Sequence, residues 1–395
     1  MPESRSDFEV FQGPDTRLRA DWLVVTIVTL GAMTVIGLFI LWPRGQLPFD
    51  RDILGLVDTA VPAQVTSALD GRCTFASDLA CHAVTFEILD GDDAGTLASQ
   101  EFDVSSSSPR FAPGDRVILS VIEGAEPSER YQYSDRDRRF VLWLLAACFA
   151  AAVVGLGRLK GLAALGGLMA SVLVLVVFIA PAILAGRSPV LVAAVGGSAI
   201  ALLALYLAHG WSPLTHVAAI GTFAALALTV ILSALVMAAA RFSGFASEEA
   251  FFLTLVEGLD IRGLVLAGTV LGTIGALDDI TVTQASTVFE LHRANPSSAS
   301  AEIFASGLRV GRDHIASTVN TLLLAYAGAA MPLLLLFTLS DLPIGIVANS
   351  EVVAVEIVRT LVGSIGLVAA VPFTTWLAAR LATSGPLAAP TAPGG

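Results

Sequence analysis

Charge is scarce in this sequence of 395 residues, and one long stretch has no acidic residue at all. Charged residues make up 14% of the chain and hydrophobic residues 55%. Residues 138–247 contain no Asp or Glu and only six Arg or Lys. A soluble domain carries about 25% charged residues. This composition excludes an ordinary cytosolic enzyme, a nucleic-acid-binding protein and a disordered chain. It predicts an all-α protein that crosses a membrane many times.

Long apolar runs mark the predicted transmembrane helices, since a bilayer core of about 30 Å needs about 20 apolar helical residues. Eight runs meet this pattern: Trp22–Leu41, Phe140–Gly157, Gly161–Gly186, Ser188–Ala208, Pro213–Ala240, Gly263–Leu277, Ile315–Leu339 and Thr360–Ala379. The first run is longer than the apolar region of a signal peptide, and no small-residue cleavage site follows it. We therefore interpret it as a retained anchor rather than a cleaved signal.

Basic residues in the short loops predict the orientation, because Lys and Arg accumulate on the cytoplasmic side. The loops of one side hold most of them: Arg158, Lys160, Arg293, Arg309, Arg312 and Arg380. We therefore expect both termini in the cytoplasm, although Arg241 and Arg262 argue mildly against this orientation. The predicted parts are a tail (1–21), an anchor helix (22–42), an extracytoplasmic domain (43–139), a seven-helix membrane domain (140–380) and a second tail (381–395).

The segment between the first two spans is the only long polar part of the chain. Residues 44–139 hold 17 acidic and nine basic residues. Apolar residues alternate with polar ones in Cys81–Leu89, and turn residues at 90–95 and 111–115 separate further short strands within 58–122. We expect a small barrel-like domain, OB-like in type. Its negative charge argues against a nucleic acid as partner.

Two groups of side chains in this domain suggest specific chemistry. Cys73 and Cys81 are expected to form a disulfide if the domain faces an oxidising exterior, whereas Cys148 lies in an apolar run and is interpreted as inert. The three aspartates at 90–93 could bind calcium. They lack the EF-hand spacing, so a solvated hairpin is the favoured interpretation.

An acidic pair follows an unusually short span. The apolar run Gly263–Leu277 has 15 residues and as a helix covers about 22 Å. Asp278 and Asp279 are therefore expected either within the membrane depth or beside a break or a neighbour that covers them, and a short, glycine-interrupted span points to a transporter site. Three glycines of the run are expected to form a close-packing face: Gly268, Gly272 and Gly275.

A polar stripe extends from this pair along the same helix. Asp279, Thr283, Ser286 and Glu290 are spaced i, i+4, i+7 and i+11, which places them within about 60° on a helix. Carboxylate and hydroxyl oxygens suit Na⁺, Mg²⁺, Ca²⁺ or a proton relay. Asp279 and Glu290 are the predicted metal or cation ligands. The alternative is an interfacial helix whose polar stripe faces water.

Polar residues in the last two spans are further candidates. Asp313, Ser317 and Asn320 form a second i, i+4, i+7 stripe. We expect Asp313 and Asn320 to join the same site, because an amide inside an apolar run needs a partner. Glu356 and Arg359 are three residues apart and are expected to form an interfacial ion pair.

A short motif occurs twice, at an offset of 91 residues. Residues 269–275 read T-V-L-G-T-I-G and residues 360–366 read T-L-V-G-S-I-G. Both spans are expected to run in the same direction, so a true repeat would be parallel. Chance similarity in a sequence rich in Gly, Ala and Val is the alternative. Ala369 and Ala370 stand where the first copy has its aspartates.

Residues 275–291 (G-A-L-D-D-I-T-V-T-Q-A-S-T-V-F-E-L) resemble the YibE/F family of bacterial membrane proteins. Supporting segments are 311–313, 320–328 and 349–351. The resemblance covers residues 140–380 and an external amino-terminal segment. It maps the family pattern onto Asp279, Ser286 and Glu290 and implies the membrane architecture, with transport as the suspected activity. Some relatives divide this architecture between paired polypeptides.

The leading hypothesis is a transporter or permease of the cytoplasmic membrane, with a cation or proton site near the cytoplasmic side and no cofactor. The alternative is a non-catalytic scaffold or signalling protein whose outer β domain binds an envelope protein. We do not expect an enzyme, since the sequence has no nucleotide loop, zinc motif or nucleophile elbow. The expected partners are the lipid bilayer, a small ion or solute, and an envelope protein or paired subunit.

Overall fold

The computed structural model describes residues 14–44, 59–73, 80–104, 109–122, 124–125, 130–245, 248–254, 256, 258–339 and 342–384. The chain forms two compact units. One comprises residues 50–152, and the other comprises residues 1–49 together with 153–395.

The polar unit is built on a five-stranded antiparallel sheet with strand order β3-β2-β1-β4-β5. The strands are β1 (Thr59–Arg72), β2 (Ala80–Ile88), β3 (Leu97–Asp103), β4 (Arg116–Val121) and β5 (Tyr131–Arg136). The long β1 lies at the centre, where Ala63 pairs with both Ile88 of β2 and Val117 of β4. The sheet curls into a half-barrel, so the predicted barrel-like domain is confirmed in this open form.

Aromatic rings fill the concave side of this half-barrel and join its two edges. The Tyr133 ring of β5 lies 5.7 Å from the Phe102 ring of β3 and 4.9 Å from the Phe111 ring. The backbone N–H of Tyr133 donates to the side-chain oxygen of Gln100 at 2.8 Å. Side chains therefore connect β3 and β5, although the two strands form no ladder. The sequence analysis did not predict β5, because its sequence, Y-Q-Y-S-D-R, is too polar to show a buried face.

Two aspartates of the β2–β3 turn make hydrogen bonds and an ion pair within the domain. The Asp90 carboxylate accepts a hydrogen bond from the Gly91 backbone N–H at 2.9 Å. Asp93 accepts one from the Tyr131 hydroxyl and pairs with Arg130 at 3.2 Å. These contacts match the hairpin interpretation rather than the calcium alternative. A disulfide joins Cys73, which follows β1, to Cys81 of β2.

The helices of the described residues are α1 (Pro14–Leu41), α2 (Arg139–Val174), a π-helical turn (Leu175–Ile179), α3 (Ala180–Leu184), α4 (Pro189–His209), α5 (Pro213–Ala239), α6 (Glu248–Leu253), α7 (Ile261–Ala294), α8 (Ser300–Ala329), α9 (Met331–Thr338), α10 (Ile344–Asn349) and α11 (Glu351–Ala382). Among the described residues, six stretches are long and apolar enough to cross a membrane: Trp22–Leu41, Arg139–Leu184, α4, α5, α7 and α11. The pair α8 and α9, bent by 68°, makes a seventh if it counts as one span. The prediction of a multi-pass helical protein is confirmed.

Arg158 interrupts the longest of these stretches. Arg139–Leu184 has 46 residues, and one straight helix of that length would extend about 69 Å, more than twice the bilayer core. The Arg158 backbone has φ 50° and ψ −128°, and a Cβ added at Gly161 would lie 2.9 Å from the carbonyl carbon of Val153. Residues eight apart in a straight helix lie about 12 Å apart. The chain therefore turns back here, between the second and third predicted spans.

α7 corrects the prediction of a short span. It continues without a break from Ile261 to Ala294, and Asp278 lies about 25 Å along its axis from Ile261. The two aspartates therefore do not mark the end of a helix. Asp278 and Asp279 interrupt the apolar pattern of the sequence, but apolar and hydroxyl side chains of this helix remain buried on both sides of them.

The span predicted at Ile315–Leu339 is also different in the structure. α8 begins at Ser300, well before the apolar run, and ends at Ala329. Pro332 lies in the first turn of α9, where its missing N–H costs no helical hydrogen bond. The bend of 68° between α8 and α9 therefore lies next to Pro332. Proline is tolerated in the first turn of a helix but disrupts the interior of one.

Small residues bring α5, α7 and α11 into close contact. Three glycine–threonine contacts join these helices: Gly221 with Thr374, Gly363 with Thr273, and Gly366 with Thr229. Two of the three threonine hydroxyls can lie in an apolar core because carbonyls of their own helices accept from them, whereas the Thr374 hydroxyl has no hydrogen-bond partner among the described residues. Thr229 donates to the Ala225 carbonyl at 2.9 Å and Thr273 to the Val270 carbonyl at 2.8 Å.

α7 and α11 run parallel, in the register of the repeated motif. A Cβ added at Gly268 would lie 3.5 Å from the Arg359 guanidinium, and Gln284 donates to the Thr375 hydroxyl at 2.7 Å. Both pairs are 91 residues apart, which is the offset between the two motif copies. The parallel direction expected for a repeat is therefore observed, and corresponding positions of the two copies lie at the same height.

Two glycine-to-alanine variants test this close packing. A Cβ at Gly221 would lie 3.3 Å from the Thr281 methyl carbon and closer still to the Thr374 hydroxyl, whereas a Cβ at Gly275 has no atom within 4 Å. We expect Gly221→Ala to lower the free energy of unfolding by about 1–3 kcal/mol through overpacking. Gly275→Ala should be neutral or stabilising by up to about 1 kcal/mol, because alanine favours the helix.

Denaturant titration of the purified protein in detergent, followed by circular dichroism, measures both effects. Equal stability losses in the two variants would contradict the proposed close contact at Gly221.

Candidate functional site

The candidate site lies on α7, which packs against α4, α5, α8 and α11. Leu277, Ile280 and Thr281 are fully buried and anchor the middle of the helix. Adjacent residues of a helix point about 100° apart. Asp278 therefore lies on a half-buried flank of α7, whereas Asp279 lies on its exposed side.

The Asp278 carboxylate is buried among hydroxyl groups. Its Oδ1 atom is inaccessible and has no hydrogen-bond partner among the described residues. The carboxyl group lies beside the Thr222 hydroxyl of α5. Thr222 and Thr281 share a hydrogen bond of 2.8 Å, and the Thr281 hydroxyl also lies 3.2 Å from the Asp278 carbonyl oxygen. A carboxylate oxygen without a partner in such surroundings is costly unless it binds a proton or a cation.

Both aspartates line a cavity of about 430 Å³ between α2, α4 and α7. Polar side chains come from all three helices: Ser171, His209, Asp278, Asp279 and Thr283. The remaining lining is apolar and includes Gly167 and Ala204, where α2 and α4 approach closely, since a Cβ added at Gly167 would lie 3.4 Å from the Ala204 Cα. The cavity therefore brings two carboxylates, two hydroxyls and an imidazole to one side of α7.

The polar stripe predicted on α7 continues beyond this cavity. Thr283, Ser286 and Glu290 line a neighbouring groove of about 650 Å³, and Thr283 belongs to both spaces. Glu290 is exposed and pairs with Arg293 on its own helix. The four stripe residues thus lie along one continuous polar surface of α7, with Asp279 at one end and Glu290 at the other.

Asp279 and Glu290 cannot hold one metal ion between them. They are eleven residues apart on a continuous helix, which separates them by about 16 Å along its axis. Within the described residues, no three His, Cys, Asp or Glu side chains lie close enough together to bind a metal ion. The pairing of these two carboxylates as metal ligands, expected from their common face, therefore fails on distance.

The second polar stripe points away from the site. α8 packs against α7 and α11 through Gly307 and Gly311, and a Cβ at Gly311 would meet Val371 and Gln284. Asp313 and Asn320 lie about 180–200° around the helix from Gly311, and both are exposed. The structure therefore does not bring Asp313, Ser317 or Asn320 to the aspartate cavity.

Glu356 and Arg359 form a pair within α11. Arg359 donates to Glu356 at 2.8 Å, and its guanidinium lies 5.8 Å from the centre of the Tyr326 ring. Gly268 and Gly272 of α7 lie opposite this group and leave room for the arginine and the tyrosine hydroxyl. Gly275, the third glycine of the predicted packing face, is exposed and contacts nothing within 4 Å.

Three lining or neighbouring residues were not predicted as site residues: Ser171, His209 and Thr222. His209 lies at the end of α4, two residues before Trp211, and this place at the end of a span was the available signal. Thr222 and Ser171 lie in long apolar runs, where a lone hydroxyl usually bonds to its own helix. Indeed, Ser171 donates to the Gly167 carbonyl at 2.9 Å.

A model of the YibE/F-like protein family matches residues 145–384 of the chain. Comparisons with curated proteins and with solved structures found no match. The matched region begins in α2 and includes every helix that lines the aspartate cavity. It also covers well over half of the chain, as the resemblance around Asp279 predicted. This protein therefore belongs to the YibE/F-like protein family.

Proposed function

We propose that this protein transports a proton or a small monovalent cation, and that Asp278 and Asp279 bind it on its way. The observation that carries the proposal is the Asp278 carboxylate. One of its oxygens is buried without a partner in the middle of a continuous membrane-spanning helix, beside a cavity that also contains Asp279. Ionisable groups at such positions are rare in membrane helices and mark ion and proton pathways.

The arrangement of the two carboxylates suits transfer between water and the helix interface. Asp279 is exposed on the cavity side of α7, whereas Asp278 lies against the Thr222 hydroxyl of α5. A proton or cation that reaches Asp279 is therefore close to a buried acceptor, the carboxylate of the adjacent residue Asp278. His209 lines the same cavity, and an imidazole can accept and donate a proton.

The ligand set favours a cargo with modest coordination needs. Divalent cations take six or more oxygen ligands, or three or four donors from His, Cys and carboxylates. Among the described residues such a group of side chains is absent. Two carboxylates with neighbouring hydroxyls are sufficient for a proton, or for a monovalent cation that keeps part of its water shell.

Flux measurements test the role of the aspartates. In proteoliposomes with an imposed potential and a pH-sensitive dye, or with Na⁺- and K⁺-sensitive dyes, we expect wild-type flux well above empty vesicles. Asp278→Asn and Asp279→Asn should each reduce the flux at least about tenfold, because the amide can neither take up a proton nor neutralise a cation.

Glu302→Gln is the matched control. Glu302 is an exposed carboxylate of α8 that accepts from the Ala299 backbone N–H at 3.2 Å, a contact that glutamine can also make. Its flux should equal that of wild type. Unchanged flux in both aspartate variants, with correct folding, would exclude this site from transport.

Cysteine labelling tests whether water enters the cavity. Cys148 is the only free cysteine, so Cys148→Ser provides a clean background. We expect Asp279→Cys and Thr283→Cys to react with a charged, membrane-impermeant thiol reagent that is applied from the cytoplasmic side. Leu277→Cys should stay unreactive, because Leu277 is 0% exposed.

Reaction of the two cavity cysteines only from the outer side would reverse the proposed orientation. No reaction from either side would show that the cavity is closed to water in the resting protein.

A further inference from the structure

The outward face of α8 is unusual for a helix that borders lipid. Six exposed residues lie within about 100° of one another on this helix. They are Asp313, Ser317, Asn320, Thr321, Leu324 and Gly328, and we name them the outer α8 face. The opposite side of α8 packs on α7 and α11 through Ile303, Gly307, Gly311 and Leu322. Five of the six residues on the outer face are therefore small or polar, although apolar residues suit contact with lipid.

Asn320 is the critical residue of this face. It lies five residues inside the apolar run that begins at Ile315, so its amide is at membrane depth. Among the described residues, the Asn320 amide has no hydrogen-bond partner, and neither does the carboxylate of Asp313. Hydrocarbon cannot satisfy an amide, so such a group normally faces another helix. Within the part of the chain that the structure describes, no helix covers Asn320, whose side chain is exposed.

We propose that two copies of this protein associate through the outer α8 face. The amide of Asn320 carries both a donor and an acceptor, so it can satisfy the same residue of a copy related by a two-fold axis along the membrane normal. No different partner residue is needed. Asparagine pairs of this kind stabilise contacts between transmembrane helices.

The remaining residues of the face suit the same partner. Ser317, Thr321 and Gly328 are small, and a Cβ at Gly328 has no atom within 4 Å, so a second helix can approach closely. At the end of the helix, Arg309 precedes Asp313 by one turn and lies about 40° from it. A two-fold axis along the membrane normal keeps each residue at the height of its own copy, so the arginines lie about 6 Å from the level of the two aspartates and can offset their like charge.

Single-cysteine crosslinking in membranes tests the contact. In the Cys148→Ser background, Ser317→Cys should form a covalent dimer with a short bis-maleimide reagent. Ile365→Cys is the control, because Ile365 is 49% exposed on α11 and lies outside the face. We expect a dimer yield at Ser317 at least about fivefold above that at Ile365. Equal yields, or crosslinks from Ser317 to a different protein only, would overturn the proposal.

Substitution of Asn320 tests whether its amide stabilises the dimer. By single-molecule photobleaching in liposomes at graded protein densities, Asn320→Leu should raise the dissociation constant of the dimer about tenfold. Asn320→Gln, which keeps an amide, should remain close to wild type. At densities where the protein is monomeric, both variants should keep the wild-type unfolding midpoint, since the residue is exposed in one copy. A wild-type protein that stays monomeric at all densities, or an Asn320→Leu dimer of unchanged strength, would refute the assignment.

Discussion

Close contact among α5, α7 and α11 is the constraint on which the membrane unit depends. Lipid tails are as apolar as leucine, so burial of apolar side chains does little to hold helices together in a bilayer, and close van der Waals packing must do so. Gly221, Gly363 and Gly366 provide it, because each receives a threonine side chain of a neighbouring helix. Thr229 and Thr273 bond to carbonyls of their own helices, whereas the Thr374 hydroxyl has no hydrogen-bond partner among the described residues.

The same packing gives the two aspartates different surroundings. α7 must run straight through the contact, so Asp278 and Asp279 lie mid-helix rather than at a helix end. Asp278 lies beside the Thr222 hydroxyl of α5, which shares a hydrogen bond with Thr281 of α7, while Asp279 is exposed and lines the cavity between α2, α4 and α7. The Asp278 carboxylate is therefore buried and Asp279 is exposed, although the two aspartates are adjacent in the chain. The proposed transport site depends on that difference.

Local patterns predicted those parts of the structure that depend on nearby residues. The alternation in Cys81–Leu89 identified β2, and the spacing from Asp279 to Glu290 identified a single polar surface, because both follow from the period of one element. Where two elements had to meet, the patterns did not suffice. Asp313 and Asn320 have the spacing of a site stripe, but Gly307 and Gly311 direct the opposite face of α8 towards the core. β5 depends on its pairing with β4 and carries little signal of its own.

The sequence by itself determined that this is a multi-pass helical membrane protein with a polar β-rich domain after the first span. It did so because long apolar runs without charge have few alternatives to membrane helices. It also determined that carboxylates interrupt one of those runs. Only the tertiary structure decided which carboxylate is buried, which helices form the cavity, and that Asn320 points outwards. Periodicity places a residue on a face of its helix, whereas the neighbour that covers the face depends on contacts between residues far apart in the chain.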